Sequence, residues 1–322
     1  MKALALFSGG LDSMLSIATI VKQNIEVEAL FFYTGFGPSN FELLEKRAKM
    51  AGASFSVVDI TNSYLQEVLF NPKYGYGKAI NPCIDCHAFM FKCALMMLKE
   101  KNASFVISGE VLGQRPMSQR SSALKSVKNL SGDENNLILR PLSAKLLEES
   151  IPESKGWVDR NKLLDFSGRS RTRQMQLAKE YGFNDYESPA GGCLLTLQAY
   201  KNKILDFNKY DSLKASDIAM LKLGRHLRLP NGAKMVISRN EEEGNKMLEA
   251  KKDTNLIEIF TNKLGAISLL SKDACKEDIL LACSLALAYS KNTDIENECL
   301  FNEQKYICKA ANKEEASKYF IV

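Results

Sequence analysis

Short apolar runs and amphipathic stretches alternate through the first half of the chain. Residues 3–7 (A-L-A-L-F) are an apolar run of strand length, and 14–22 place apolar residues at helical spacing directly after two glycines. The same order returns along the chain: 26–34 reads as a buried strand, 40–52 as a helix, 54–60 as a strand and 63–70 as a helix. An amphipathic helix at 86–101 and strands at 104–108 and 136–140 follow. This alternation predicts an α/β fold with an open parallel sheet and helices on both faces, because each parallel neighbour needs a crossover. The stretch 184–192 (N-D-Y-E-S-P-A-G-G) interrupts any element and marks the expected junction. Residues 1–190 then form one domain, and 191–322 a smaller C-terminal α+β domain with a helix at 197–208 and strands at 233–238 and 256–260.

With 322 residues, 45% of them hydrophobic and 25% charged, the chain can fill two cores. No apolar stretch approaches the ~18–20 residues of a membrane span, and the N-terminus runs directly into a strand pattern. A cytoplasmic protein with no membrane partner is expected. In a reducing compartment, the eight cysteines serve as core residues, metal ligands or nucleophiles more often than as disulfides. The net charge of +5 tilts towards an anionic partner such as nucleic acid. Local basic segments point the same way, with Arg115 and Arg120 in one loop region and Arg169, Arg171 and Arg173 at a helix start, although solvated faces look alike. Internal repeats are absent, which excludes a solenoid.

Candidate chemistry begins at Ser8-Gly9-Gly10-Leu11-Asp12-Ser13, between the first strand and the first helix. Glycines there permit tight backbone geometry, and unpaired N–H groups at the helix start face an anion. The loop has no G-K-S/T ending and no lysine, so it is not a Walker A loop. A plain βα turn with Asp12 as a first-turn carboxylate is the structural alternative. S-G-G-x-D-S after a first strand resembles the PP-loop ATP pyrophosphatases (a HUP-like fold), which adenylate a carbonyl oxygen and release pyrophosphate. The resemblance implies that Ser8, Gly9, Gly10, Asp12 and Ser13 surround the ATP phosphates, with Asp12 helping to position Mg²⁺ or the reacting groups. A second segment, S-G-E-V-L-G-Q at 108–114 with Ser118-Gln119 and then L-R-P-L at 139–142, is similar to the core of ThiI-type tRNA 4-thiouridine synthases. It brings Gly109 and Gln114 to the expected nucleotide site, at the carboxyl edge of the sheet. In that family a THUMP-containing RNA-binding region usually precedes the core, whereas this chain starts at the core, so RNA binding and sulfur delivery are expected to be solved differently.

Cys83-Ile84-Asp85-Cys86-His87 lies where a loop enters a helix, a position that favours thiolates and metal ligation, and Cys193 follows a flexible Ala-Gly-Gly approach. A single C-x-x-C without a second one argues against a four-cysteine zinc site. In a subset of ThiI-like and other PP-loop enzymes, a C-x-x-C and one distant cysteine hold an iron–sulfur cluster. Cys83, Cys86 and Cys193 resemble that arrangement, which implies a [4Fe–4S] cluster with one open iron. Two other readings stay open: persulfide chemistry on Cys193 with Cys83 or Cys86 resolving, and a purely structural role. Cys93, Cys275 and Cys283 fall in apolar helix patterns and read as small buried hydrophobes, while Cys299 and Cys308 read as incidental. His87 is read as a helix-start residue and His226 as a contact for solvent or phosphate, neither catalytic.

In the C-terminal region G-R-H-L-R-L (224–229) and M-V-I-S-R-N (235–240) bracket a short strand and turn with basic residues. This resembles the RNA-binding module of the NFACT family, with a polar helix at Glu241–Leu248, and implies phosphate contacts from Arg225, Arg228 and Arg239. A packing or dimerisation domain is the alternative, which leaves a homodimer open. Taken together, the expectation is an ATP-dependent tRNA sulfurtransferase: a uridine carbonyl is adenylated and its oxygen replaced by sulfur from sulfide or a cysteine desulfurase relay. The alternative is a PP-loop adenylating ligase or sulfur-insertion enzyme acting on a small molecule.

Overall fold

The computed structural model describes residues 1–187, 193–291 and 296–322. The chain divides into two compact units, Met1–Thr196 and Leu197–Val322. In the first, β1 (Lys2–Leu6), β2 (Glu26–Tyr33), β3 (Ser54–Asp59), β4 (Phe105–Ser108) and β5 (Ile138–Leu139) form a parallel sheet in the order β3-β2-β1-β4-β5. Helices α1 (Leu11–Val21), α2 (Phe41–Met50), α3 (Thr61–Tyr64), α4 (Cys83–Met97), α5 (Ser121–Ser131), α6 (Ile151–Ser154) and α7 (Thr172–Glu180) accompany it. Ala3, Leu4 and Ala5 of β1 are all buried, as expected of a central parallel strand covered on both faces. The chain crosses from β1 to β2 and β3 on one side and returns to β4 and β5 on the other. The point where that order reverses lies between β1 and β4.

The expected helix at 63–70 is a short helix, α3, that widens into a π-turn over Leu65–Leu69. The strand expected at 136–140 shortens to Ile138–Leu139, because the Asp133 carboxylate accepts the N–H groups of Leu137 (2.7 Å) and Ile138 (3.1 Å). Helix α4 begins at Cys83, earlier than the periodicity suggests, so both cysteines of the C-x-x-C lie in its first turns. The domain boundary also shifts. Leu194 N–H donates to the Phe36 carbonyl (3.1 Å), Ile80 N–H donates to the Leu195 carbonyl (3.2 Å), and Leu195 is buried. Cys193 therefore belongs to the first unit, not to a domain starting at 191. Residues 188–192 of the expected junction lie outside the described residues.

The second unit starts with α8 (Gln198–Tyr210) and α9 (Ala215–Leu221), followed by β6 (Arg225–Arg228), β7 (Lys234–Ile237), α10 (Glu241–Ala250), β8 (Leu256–Thr261) and β9 (Ser268–Ser271). It ends with α11 (Lys276–Ala288), β10 (Asn297–Phe301), β11 (Gln304–Cys308) and α12 (Lys313–Ser317). Its strands pair antiparallel in the order β11-β10-β8-β9-β7-β6. Apolar residues of α11 pack with Leu227, Met235, Ile237 and Leu270. Cys283 is buried as expected, and Cys299 and Cys308 join it in this core. Cys275 does not; it is the exposed residue capping α11, and Cys93 is only half-buried. Among the described residues, no helix is long and apolar enough to cross a membrane.

One contact fixes the geometry at the reversal point. A β-carbon on Gly109, just past β4, would sit 2.5 Å from the backbone of Asp12 and Ser13 in α1. The buried Ser16 hydroxyl ties the same helix to the Ser108 carbonyl at 3.0 Å. Gly109→Ala is expected to force α1 away from β4 and cost about 1–3 kcal/mol, as overpacking does; a urea titration showing wild-type stability would contradict this.

Candidate active site

The loop after β1 is shaped by two glycines. Gly9 has φ +75°, and a β-carbon there would lie 2.3 Å from Leu44 Cδ2. Gly10 is extended (φ −84°, ψ 160°) and precedes the first turn of α1. The Ser13 hydroxyl donates to the Gly10 carbonyl (2.7 Å), and Gly10 N–H donates to Ser8 Oγ (3.4 Å). The first-turn N–H groups of α1 have no carbonyl partner within the helix, which leaves them for an anion. Buried Arg47 braces the loop from behind. It donates to the Gly9 carbonyl (3.4 Å) and pairs with Asp185 (3.1 Å) and Glu187 (3.2 Å), while Glu187 forms a parallel bridge with Gly10.

A cavity of about 440 Å³ opens here, lined among others by Ser8, Gly10, Asp12, Ser13, Gly109 and Cys193. Gly9 and Gln114 are not among its lining residues. Gln114 instead donates to Asp12 Oδ2 (2.6 Å) and accepts from the buried Gln174 (2.9 Å). Arg171 lies 3.7 Å from the same Asp12 oxygen. Asp12 Oδ1 is buried with no hydrogen-bond partner. Burial pushes the Asp12 carboxyl above its ordinary value, opposed by Gln114, Arg171 and Arg115. The carboxylate is thus under-satisfied, a state that a bound cation would relieve.

Cys83, Cys86 and Cys193 line the same cavity. Asn81 donates to Cys83 Sγ (3.1 Å), and Tyr64 hydrogen-bonds Cys86. Burial and the neighbouring Cys193 push the Cys86 thiol up to about 12, so it is protonated at neutral pH. Among the described residues, no three His, Cys, Asp or Glu side chains are grouped to hold a single metal ion.

His87 has more to do than its position at a helix start suggested. Its Nδ1 lies 2.8 Å from Glu110 Oε1, and Glu110 Oε2 accepts from Arg140 Nε at 2.8 Å. His87 and Glu110 line the cavity. Burial alone would raise the Glu110 carboxyl, but Arg140 and His87 overcome it and hold it down at about 2. The three residues come from α4 and the segments following β4 and β5, and no local motif joins them.

The arginines of the second unit are engaged inside it. Arg228 donates to Asp206 (2.7 and 3.1 Å) and to the Gly232 carbonyl (2.7 Å), and stacks 4.1 Å from the Tyr210 ring centroid. Arg225 donates to the Ser238 carbonyl (3.0 Å), and the more exposed Arg239 pairs with Glu243 at 2.6 Å. His226 does not face solvent or phosphate. It is buried, hydrogen-bonded to the Leu223 carbonyl (2.8 Å), and burial pushes its pKa well down.

An open parallel sheet with a cavity at its reversal point, at the carboxyl ends of β1 and β4, is the ligand-binding arrangement of doubly wound α/β proteins. Within that class the chain is ThiI-like: the family model described as thiamine biosynthesis protein (ThiI) matches residues 1–152. The model of the NFACT protein RNA binding domain matches residues 224–320. The chain is 30% identical over 118 residues to the tRNA-specific 2-thiouridylase MnmA of Sulfurimonas denitrificans, covering 34% of this chain and 35% of that protein. It is 27% identical over 175 residues to the tRNA sulfurtransferase of Desulfurococcus amylolyticus, covering 52% of this chain and 34% of that protein. The matches thus span about a third of the length of these relatives. A solved 4-thiouridine synthetase–RNA complex with bound ATP aligns at 19% identity and a TM-score of 0.41, over 69% of this chain and 52% of that one.

The two carboxylates of the cavity predict opposite responses. Glu110 has a folded pKa below its unfolded value of about 4.5. Its stabilisation is therefore present above pH 4.5 and lost as pH falls through about 2. Glu110→Gln leaves buried Arg140 unpaired and is expected to cost about 3–5 kcal/mol at pH 7, with the difference from wild type shrinking in acid. Asp12 has a raised pKa, so its charge opposes folding at neutral pH. Asp12→Asn is expected to melt at or above the wild-type temperature; a melting temperature well below wild type contradicts this.

Proposed function

We propose that this chain is an ATP-dependent tRNA sulfurtransferase that adenylates a uridine carbonyl and replaces its oxygen with sulfur. What carries the reading is one coincidence: the glycine loop with Asp12 and the three cysteines Cys83, Cys86 and Cys193 line a single cavity. The ThiI match over 1–152 supports the adenylating chemistry, and the NFACT match over 224–320 supports a second unit that binds RNA. ATP phosphates lie against the first turn of α1, with Ser8, Gly10 and Ser13 around them and Asp12 Oδ1 available to Mg²⁺, which would act as a Lewis acid on the phosphates. The carbonyl oxygen attacks the α-phosphorus, pyrophosphate leaves, and sulfur then displaces AMP. Adenylation is what turns a poor leaving oxygen into a good one.

Cys83, Cys86 and Cys193 line one cavity, as the thiolate ligands of a shared iron–sulfur cluster would. Cys83, Cys86 and Cys193 would hold it, and the cluster would supply an open iron for sulfide. Ligation would also remove the proton that burial keeps on Cys86. The sulfur enters from sulfide or a cysteine desulfurase relay. Arg225 and Arg239 are the second unit's contacts for the RNA backbone, whereas Arg228 contributes through its Asp206 pair, and the enzyme works in the cytoplasm.

Mass spectrometry of nucleosides from bulk tRNA of the source cell tests this reading. Deletion of the gene, Asp12→Ala, and alanine at Cys83, Cys86 or Cys193 are each expected to remove one thionucleoside. Chromatographic comparison with 2-thiouridine and 4-thiouridine then identifies the position modified. An unchanged profile in the deletion strain overturns the reading and moves the substrate to a small molecule.

A further inference from the structure

The second unit has a cavity of its own, about 370 Å³, lined by one face of its sheet and by α8 and α9. The chemistry proposed above makes no use of it. The cross-strand register sets His226 opposite Val236 and Arg228 opposite Lys234, so these four side chains share a sheet face, and all four line the cavity. Phe207 and Tyr210 of α8 add aromatic surface. The volume falls within the ~300–1,000 Å³ of small-molecule sites.

Two buried side chains decide what such a site can hold. His226 is 3% exposed, and its Nε2 lies 2.8 Å from the Leu223 carbonyl, which can only accept, so that nitrogen carries a proton. Burial, with Lys234 and Lys203 nearby, pushes the His226 pKa well down, so the ring holds no second proton at neutral pH. Nδ1 is therefore a bare acceptor, and it is buried without a partner. Lys234, on the neighbouring strand, is 7% exposed; its Nζ donates to Asp206 Oδ2 at 2.9 Å, which uses one of the three donors an ammonium carries. The charge balance argues against a phosphate. Arg228 and Lys234 already share Asp206, and Asp211, Asp217 and Asp273 also line the cavity, so carboxylates outnumber cations there.

A neutral ligand that satisfies both groups brings an N–H to His226 Nδ1 and an oxygen to Lys234. Uracil and guanine carry a carbonyl beside a ring N–H on one edge, whereas adenine has no carbonyl and the cytosine carbonyl adjoins a bare ring nitrogen. We propose that this cavity binds one nucleobase of the uracil or guanine kind, read on its N–H by His226 and on its carbonyl by Lys234. An unpaired nucleotide of RNA and a free nucleoside present the same edge. His226 and Lys234 both fall within the stretch that matches the NFACT RNA binding domain, and the site does not rest on the adenylating chemistry.

Titration calorimetry on the full chain compares uridine, guanosine, adenosine and cytidine, with excess α,β-methylene ATP present to occupy any adenine site in the first unit. A second series compares single-stranded oligouridine with the same strand paired in a duplex. Uridine and guanosine are expected to bind at least about tenfold tighter than the other two nucleosides, and the single strand tighter than the duplex. His226→Phe keeps the ring and removes the acceptor, and is expected to weaken uridine and oligouridine about 10–30-fold. Asn255→Trp, at an exposed position of the lining, narrows the cavity and is expected to weaken both as well, which decides the matter if His226→Phe does not fold. Oligouridine binding far tighter than uridine assigns the base to RNA, and equal affinities assign it to a free nucleoside. Binding of neither, equal binding of all four nucleosides, or wild-type affinity in a folded variant overturns the proposal.

Discussion

Between the end of β4 and the first turn of α1 there is no room for a β-carbon. Gly109 sits so close to the backbone of Asp12 and Ser13 that only hydrogen fits, and the Ser16 hydroxyl closes the same contact from the next turn. Two consequences follow. The first-turn N–H groups of α1 are held at the carboxyl edge of the sheet, where their partial positive charge faces the cavity. Glu110, one residue on, is delivered to the cavity lining, where Arg140 and His87 fix it. The glycine loop and Glu110, both of which line the cavity, are thus set from one point of close packing.

Around that point the charged groups fall into two kinds. Glu110 and Arg47 are buried and multiply paired: Glu110 by Arg140 and His87, Arg47 by Asp185, Glu187 and the Gly9 carbonyl. They hold the walls. Asp12 and Arg171 are also withdrawn from water, but each keeps an atom without a partner. Buried polar groups left short of hydrogen bonds oppose folding, and proteins retain them where a ligand completes the set.

The sequence carried much of this legibly where chemistry and local structure coincide. The apolar runs at 3–7, 26–34 and 54–60 are strands because a central parallel strand is buried on both faces, and the glycine loop is recognisable because strand, turn and helix must be adjacent in the chain. Cys83 and Cys86 share a helix start. What was hidden depends on residues far apart in sequence. His87, Glu110 and Arg140 meet across separations of 23 and 30 residues, so no window contains them. Arg228 resembled a phosphate contact until Asp206 and Tyr210 appeared on either side of it. His226 and Leu227 are both buried in β6 although a part-exposed arginine flanks them on each side, so the basic local sequence concealed the burial of His226. Cys275 looked like part of an apolar helix, but the helix starts at the next residue and leaves it exposed as the cap.

The central claim is that the substrate oxygen is activated by adenylation before sulfur replaces it. The direct measurement is an isotope transfer. Substrate RNA whose uridine carbonyl carries ¹⁸O is incubated with the chain, Mg-ATP and a sulfur source, and the nucleotide products are weighed by mass spectrometry. The account predicts AMP carrying one ¹⁸O for each thionucleoside formed, with pyrophosphate unlabelled. Label appearing in inorganic phosphate beside ADP, or retained in the RNA while sulfur is incorporated, would contradict it.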